Sequence, residues 1–224
     1  MNSHELTGRT RSHILDLTEP PCRLHRDAVA AYVALRKAAA SAGHVLVPVS
    51  SFRDFEHQAR IWNAKFRGER PMFDAGGQPL DAAQLGDEDK VSAILLWSAL
   101  PGASRHHWGS EIDVIDRAAI AADYQPRLLP AEFEPGGPFA AFDGWLDQNM
   151  ARFEFFRPYR TDRGGVRPEP WHLSYAPVAL PALQMLTPEL LSQALASQAI
   201  EGLAIVRSRI VEIHERYVLG VDAP

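Results

Sequence analysis

The chain has 224 residues, of which 46% are apolar, 23% charged and 9% aromatic, with 15 Gly and 17 Pro. This is ordinary globular composition, long enough to bury a proper core, and it excludes collagen-like, mucin-like and mostly disordered chains. A formal net charge of −5 without a basic run argues against nucleic acid or an anionic membrane surface as partner.

The single cysteine, Cys22, leaves no intramolecular disulfide and no Cys-based zinc cluster, and reads as a small buried side chain. Residues 1–10 carry polar and charged groups where an export signal would be apolar, and every apolar window breaks before a membrane span is reached. The expectation is a soluble, cytoplasmic protein, or a periplasmic or wall-associated one if the chain has been trimmed.

Residues 1–20 read as a loosely ordered arm. From His25 the stripe Ala28, Ala31, Tyr32, Leu35, Ala38 and Ala39 predicts a helix stopped by Gly43. The β-branched run 44–50 predicts a strand. Asp54 is placed to cap a second helix carrying Phe55, Ile61, Trp62 and Phe66. Residues 68–86 read as loop, 91–100 as an amphipathic run ended by Pro101 and Gly102, and 112–115 as an alternating strand. The proline-bearing stretch 117–138 reads as a surface excursion over a cleft. Phe139, Phe142, Leu146 and Met150 mark a third helix, with short strands at 153–156 and 171–175. Residues 187–219 read as two helical stretches, opened by Thr187-Pro188-Glu189 and seamed by Leu203, Val206, Ile210 and Ile213. Helices first and last with strands between predict an α+β fold around a small, mostly antiparallel sheet flanked by helices, with a helical C-terminal tail.

Without cysteines, a metal site must draw on the nine histidines and on carboxylates. Two settings stand out: Ser104-Arg105-His106-His107-Trp108-Gly109-Ser110-Glu111-Ile112-Asp113 and Glu169-Pro170-Trp171-His172. Each alone is a common pattern. Together with Ser50-Ser51-Phe52-Arg53-Asp54-Phe55-Glu56-His57-Gln58 they fall in the order and separations of one family. These segments resemble the LAS zinc metallopeptidases, in particular the D-alanyl-D-alanine carboxypeptidases of the vancomycin-resistance (VanY-like) type, over residues 44–176.

That resemblance implies one Zn²⁺ per chain held by His106, Asp113 and His172, with Glu169 as catalytic base. Arg53 corresponds to the family's substrate arginine, and Gln58 and Ser104 to positions that hydrogen-bond the substrate. The chemistry is coherent: a hydrolytic zinc needs three protein ligands and one open position, and a carboxylate off the metal must move the proton. Arg53 suits a terminal carboxylate or an oxyanion. His107 is expected behind the ligands or in the substrate cleft. The other histidines are expected at the surface or hydrogen-bonded, Arg105 solvated, and Asp116 exposed at a strand end rather than orienting a ligand. Glu111 stands where the family often has a small residue.

The expected organisation is an arm at 1–20, a zinc peptidase domain at 21–180 and a helical extension at 181–224 packed on it. The expected function is removal of the terminal D-alanine from peptidoglycan stem peptides or precursors, as a D,D- or L,D-carboxypeptidase. The alternatives are a peptidoglycan dipeptidase or endopeptidase, or a non-catalytic zinc-containing module that binds wall peptides or a protein. A peptidoglycan-derived peptide is the expected partner and a monomer the expected state, with a dimer through the C-terminal helices as the alternative.

Overall fold

The computed structural model describes residues 1–196 and 198–224; Ser197, inside the predicted tail, lies outside the described residues. The first 25 residues are folded, not loose. Helix α1 (Ser3–Leu6) is closed by a reciprocal cap: the Glu5 backbone N–H donates to the Asn2 side chain, and the Asn2 N–H donates to the Glu5 carboxylate. Strands β1 (Ile14–Thr18) and β2 (Pro21–His25) form an antiparallel hairpin with Ile14 opposite His25. The expected boundary at residue 20 therefore falls inside a hairpin. Its apolar side chains explain why: Leu6, Ile14, Cys22 and Leu24 are all buried, which stabilises an ordered segment as no solvated arm could be.

Helix α2 (Val29–Ser41) buries Tyr32, Leu35 and Ala39 on the predicted stripe, and β3 (Leu46–Ser50) follows. The Asp54 side chain accepts from the His57 N–H and caps α3 (Phe55–Phe66). Inside the stretch read as loop, β4 (Met72–Phe73) and β5 (Pro79–Leu80) make a minimal hairpin. Helix α4 (Asp87–Leu95) leads to β6 (Glu111–Asp116), and the excursion after it holds only short 3₁₀ turns at 117–119 and 130–132. Helix α5 (Ala140–Asn149), β7 (Phe155–Phe156) and β8 (His172–Tyr175) complete the sheet. Then α6 (Ala176–Met185), α7 (Pro188–Leu195), α8 (Leu203–Ser208) and α9 (Ile210–Ile213) form the C-terminal region.

The main sheet is antiparallel in the order β3-β6-β8-β7. Because side chains alternate across a strand, its two faces differ. Ile112 and Val114 of β6 and Leu173 of β8 turn into a core with Tyr32, Leu35, Phe142 and Leu146. Glu111 and Asp113 of β6, with His172 and Ser174 of β8, share the opposite face. The register sets Asp113 across from His172 and Glu111 across from Ser174.

A second core joins Phe55, Trp62, Ile94 and Trp108 to Leu191, Leu195, Val206 and Ile213, so the tail packs onto α3 and α4. Helix α6, absent from the sequence-based expectation, contains Pro177 and Pro181. Pro177 falls in the first turn, where the N–H lacks an intrahelical partner anyway, whereas Pro181 lies inside the helix.

Candidate metal centre and active site

The groups that converge here come from four chain segments. After α4, a 3₁₀ turn at Arg105–Trp108 carries His106 and ends at Gly109, whose φ is +67°. A Cβ at Gly109 would stand 2.7 Å from the His25 backbone nitrogen, and the His25 N–H donates to the Gly109 carbonyl at 2.8 Å. Only glycine meets both the left-handed backbone and the close approach of the hairpin. The hairpin thus supports the His106 turn from behind.

His106, Asp113 and His172 are buried, and one donor atom from each lies within 4.8 Å of the others. The outward nitrogen of each ring is already engaged. His106 Nδ1 donates to the Ser51 carbonyl at 2.9 Å, and His172 Nε2 donates to the Glu111 carboxylate at 2.7 Å. His106 Nε2 therefore faces Asp113 at 3.4 Å and His172 Nδ1 faces Asp113 at 3.0 Å. Asp113 Oδ1 is buried without a hydrogen-bond partner. An orphaned buried carboxylate oxygen costs free energy unless something positive reaches it. Two imidazole nitrogens and a carboxylate are a donor set that suits a divalent zinc with a position left open.

The electrostatics follow from burial and neighbours. Burial, with Arg53 nearby, holds the His106 imidazolium down to about 4. For His172 burial works the same way, but the Asp113 and Glu111 carboxylates beside its two nitrogens overcome it and raise the ring to about 10. Glu169 lies 3.4 Å from His172 Nδ1. Burial pushes its carboxyl up to about 7, Asp113 adding to the effect and His172 and Arg53 opposing it. A carboxyl brought near neutrality is suited to both accepting and returning a proton.

Arg53 follows β3, its Nη2 3.6 Å from Asp113 and its Nη1 donating to Gln58 Oε1 at 3.0 Å. Gln58 differs from the expectation of a substrate contact. It is fully buried, and its amide nitrogen donates to the Ala99 carbonyl at 2.8 Å, so both ends of the amide are used in holding Arg53. Ser104 lines a cavity of about 40 Å³ with Arg53, His106, Tyr159, Glu169 and His172. A second cavity of about 210 Å³ adjoins it across Arg53, Asp113, Trp97, Glu169 and Trp171. A separate cavity of about 580 Å³, walled by residues such as Met150, Phe155 and Leu180, contains none of these groups.

Three residues depart from the sequence reading. Arg105 is buried, not solvated: its Nη2 donates to Ser174 Oγ at 2.7 Å and lies 3.4 Å from Glu111, over the Trp108 ring. Asp116 is buried, not exposed, and accepts from His44 and the Val45 N–H. The carboxylate that does bond a histidine of the candidate triad, His172, is Glu111, fully buried and also hydrogen-bonded by Ser110 and Ser174. Its signal was present in the sequence, two positions before Asp113 and hence on the same strand face. His107 lies behind the ligands: the Gly102 N–H donates to its Nε2, so its Nδ1–H donates to the Arg53 carbonyl at 2.6 Å.

Residues 21–178 match the family described as VanY, D-alanyl-D-alanine carboxypeptidase. The chain belongs to that family. Two uncharacterized proteins of Haemophilus influenzae are similar to it. One is 49% identical over 98 residues, covering 42% of this chain and 67% of the relative. The other is 35% identical over 122 residues, covering 54% and 93%. Among solved structures, VanYB in complex with D-alanine-D-alanine superposes with a TM-score of 0.54 at 23% identity, over 83% of this chain and 89% of that one. A vancomycin-resistance D,D-pentapeptidase VanY solved with Zn(II) gives 0.52 at 22% identity, over 88% and 92%. The α+β architecture is thus that of the VanY metallopeptidases, and the chain is a VanY-family peptidase.

Proposed function

We propose that this VanY-family chain is a zinc-dependent carboxypeptidase that removes the terminal D-alanine from peptidoglycan stem peptides or their precursors. The observation that carries the reading is the convergence of His106 Nε2, Asp113 and His172 Nδ1 within 4.8 Å beside the buried Glu169. His106, Asp113 and His172 would hold the zinc, which when bound supplies a Lewis acid and an acidified water. Glu169 takes the proton from the attacking water and returns it to the leaving amine. Arg53, oriented by Gln58 and by the His107 contact to its carbonyl, anchors the charged terminus or the developing oxyanion. A module that only bound peptides would need neither Glu169 at this position nor Arg53 aimed across the cleft.

The test is chromatography of stem tri-, tetra- and pentapeptides after incubation, with and without a chelator. A D,D-enzyme converts pentapeptide to tetrapeptide, an L,D-enzyme converts tetrapeptide to tripeptide, and both reactions stop when the metal is removed. Glu169→Gln is expected to lower turnover by about 10²- to 10⁴-fold while binding zinc as the parent does. Near-parental rates in that variant would remove Glu169 from its role.

A further inference from the structure

The cavity of about 210 Å³ beside the metal triad is lined by three cations, Arg53, Lys65 and Arg127, against two carboxylates, Asp113 and Glu169. If Asp113 serves the metal and Glu169 the proton, the cations have no remaining counter-charge. Lys65 sits near the end of α3, mostly withdrawn from water, with the Ser98 hydroxyl at 2.7 Å; among the described residues no carboxylate lies within ion-pair distance of it. Burial holds its ammonium down to about 8. An ammonium that has lost most of its water, with a neutral hydroxyl as its close contact and Glu169 only at longer range, is one that an arriving anion stabilises.

Arg127 stands at the rim, on a segment built to present it. The Glu132 carboxylate accepts from the backbone N–H groups of Arg127 and Leu129 and from the Tyr124 hydroxyl. It thereby satisfies the loop while leaving the guanidinium unengaged. Between them Leu128 has a φ of +53°, a costly conformation for a residue with a side chain. Phe73, Trp97, Leu128 and Trp171 supply apolar wall to the cavity, so an ion pair formed with Lys65 is less screened than one at the exposed Arg127.

We infer that Lys65 and Arg127 form a second anion subsite, which selects peptides carrying a carboxylate near the scissile bond in addition to the terminal one at Arg53. This rests on the peptidase reading above and narrows its substrate to a doubly anionic class.

The test uses one scaffold, acetyl-Lys-D-Ala-D-Ala and its shorter homologue acetyl-Lys-D-Ala, with the lysine side chain either acetylated or succinylated. Succinylation adds one carboxylate. Binding of both forms to zinc-loaded Glu169→Gln protein is measured by calorimetry, and kcat/KM is measured with the parent enzyme. The succinylated peptide is expected to be favoured by about 10- to 100-fold, as for a charge-assisted contact, the preference shrinking with added salt. In the double variant Lys65→Met, Arg127→Met the ratio of the two peptides falls towards one. Equal affinity for both peptides in Glu169→Gln, or a ratio unchanged in the double variant, overturns the subsite. If neither peptide is cleaved, the hydrolytic reading fails and the binding ratio still decides the subsite.

Discussion

At the scale of single residues, the ligand set rests on groups that never touch the substrate. The Glu111 carboxylate accepts from His172, Ser110 and Ser174 and lies beside Arg105, all of them buried. It fixes which nitrogen of His172 faces Asp113, as outer carboxylates do for metal-bound histidines. Glu111→Ala is therefore expected to act twice. Leaving the Arg105 guanidinium and the His172 N–H buried without a partner should cost about 3–5 kcal/mol, and zinc affinity should fall by about 10- to 100-fold. Glu111→Gln keeps the shape but not the charge, so it should lose less stability while still weakening the metal. Urea melts of metal-free protein and zinc competition against a chelating dye separate the two effects. A Gln variant that loses stability but binds zinc as the parent does would make Glu111 a purely structural residue.

At the scale of elements, the N-terminal hairpin decides how firmly the His106 turn is held. His13 Nε2 bonds the His107 carbonyl at 2.9 Å, and the His25 ring lies against His13. Burial holds both rings below the ordinary histidine value; the Glu5 carboxylate, 3.8 Å from His13, and Asp27, 3.6 Å from His25, oppose it, while Arg26 adds to it. The unfolded chain, with histidines near 6.5, then binds protons more readily than the folded one. The contribution of these two rings to stability should be fully present above about pH 6.5 and fall as pH drops through and below it. Thermal melts of the parent and of His13→Gln from pH 8 to 5 isolate this contribution: the difference between the two should change as pH falls, the parent losing the larger part, and a difference constant over that range would contradict the account. A second substitution bears on the same contact: Gly109→Ala brings a Cβ against the hairpin at a left-handed position and should cost at least about 1 kcal/mol, read as a lowered urea midpoint.

The elements also show what the sequence could reveal. The ligand segments were legible because strand alternation and motif spacing are local: Glu111 and Asp113 share a face by a period of two. Arg105 was not, because successive residues of a 3₁₀ turn project in different directions and leave no periodic trace of burial. Asp116 was missed for a related reason, its partners His44 and Val45 arriving from β3 some 70 positions away. The hairpin at 14–25 was hidden by the short prolyl turn that joins its strands, and α6 by its two prolines. For Gln58, read as a substrate contact, only the fold shows that Arg53 and Ala99 take the two ends of its amide.

At the scale of the whole molecule, the proposed metal centre would act as a cross-link. Its three donors come from the turn after α4, from β6 and from β8, and these segments separate two cores: one under the sheet with α2 and α5, the other joining α3 and α4 to the tail. Metal-free, Glu111, Asp113 and Glu169 surround one imidazole, which Asp113 and Glu111 hold protonated, and zinc takes the place of that proton. Zinc binding to the folded chain alone should therefore stabilise the entire domain by mass action. At about 100 times its dissociation constant this amounts to about 2.7 kcal/mol, or about 5–10 °C in melting temperature for a domain of this length. Asp113→Asn removes the shared anion, so the zinc-dependent rise should vanish. Calorimetric scans of both proteins at graded zinc concentrations measure it: a parent that melts at one temperature with and without zinc would show that the two histidines and Asp113 meet for some purpose other than metal.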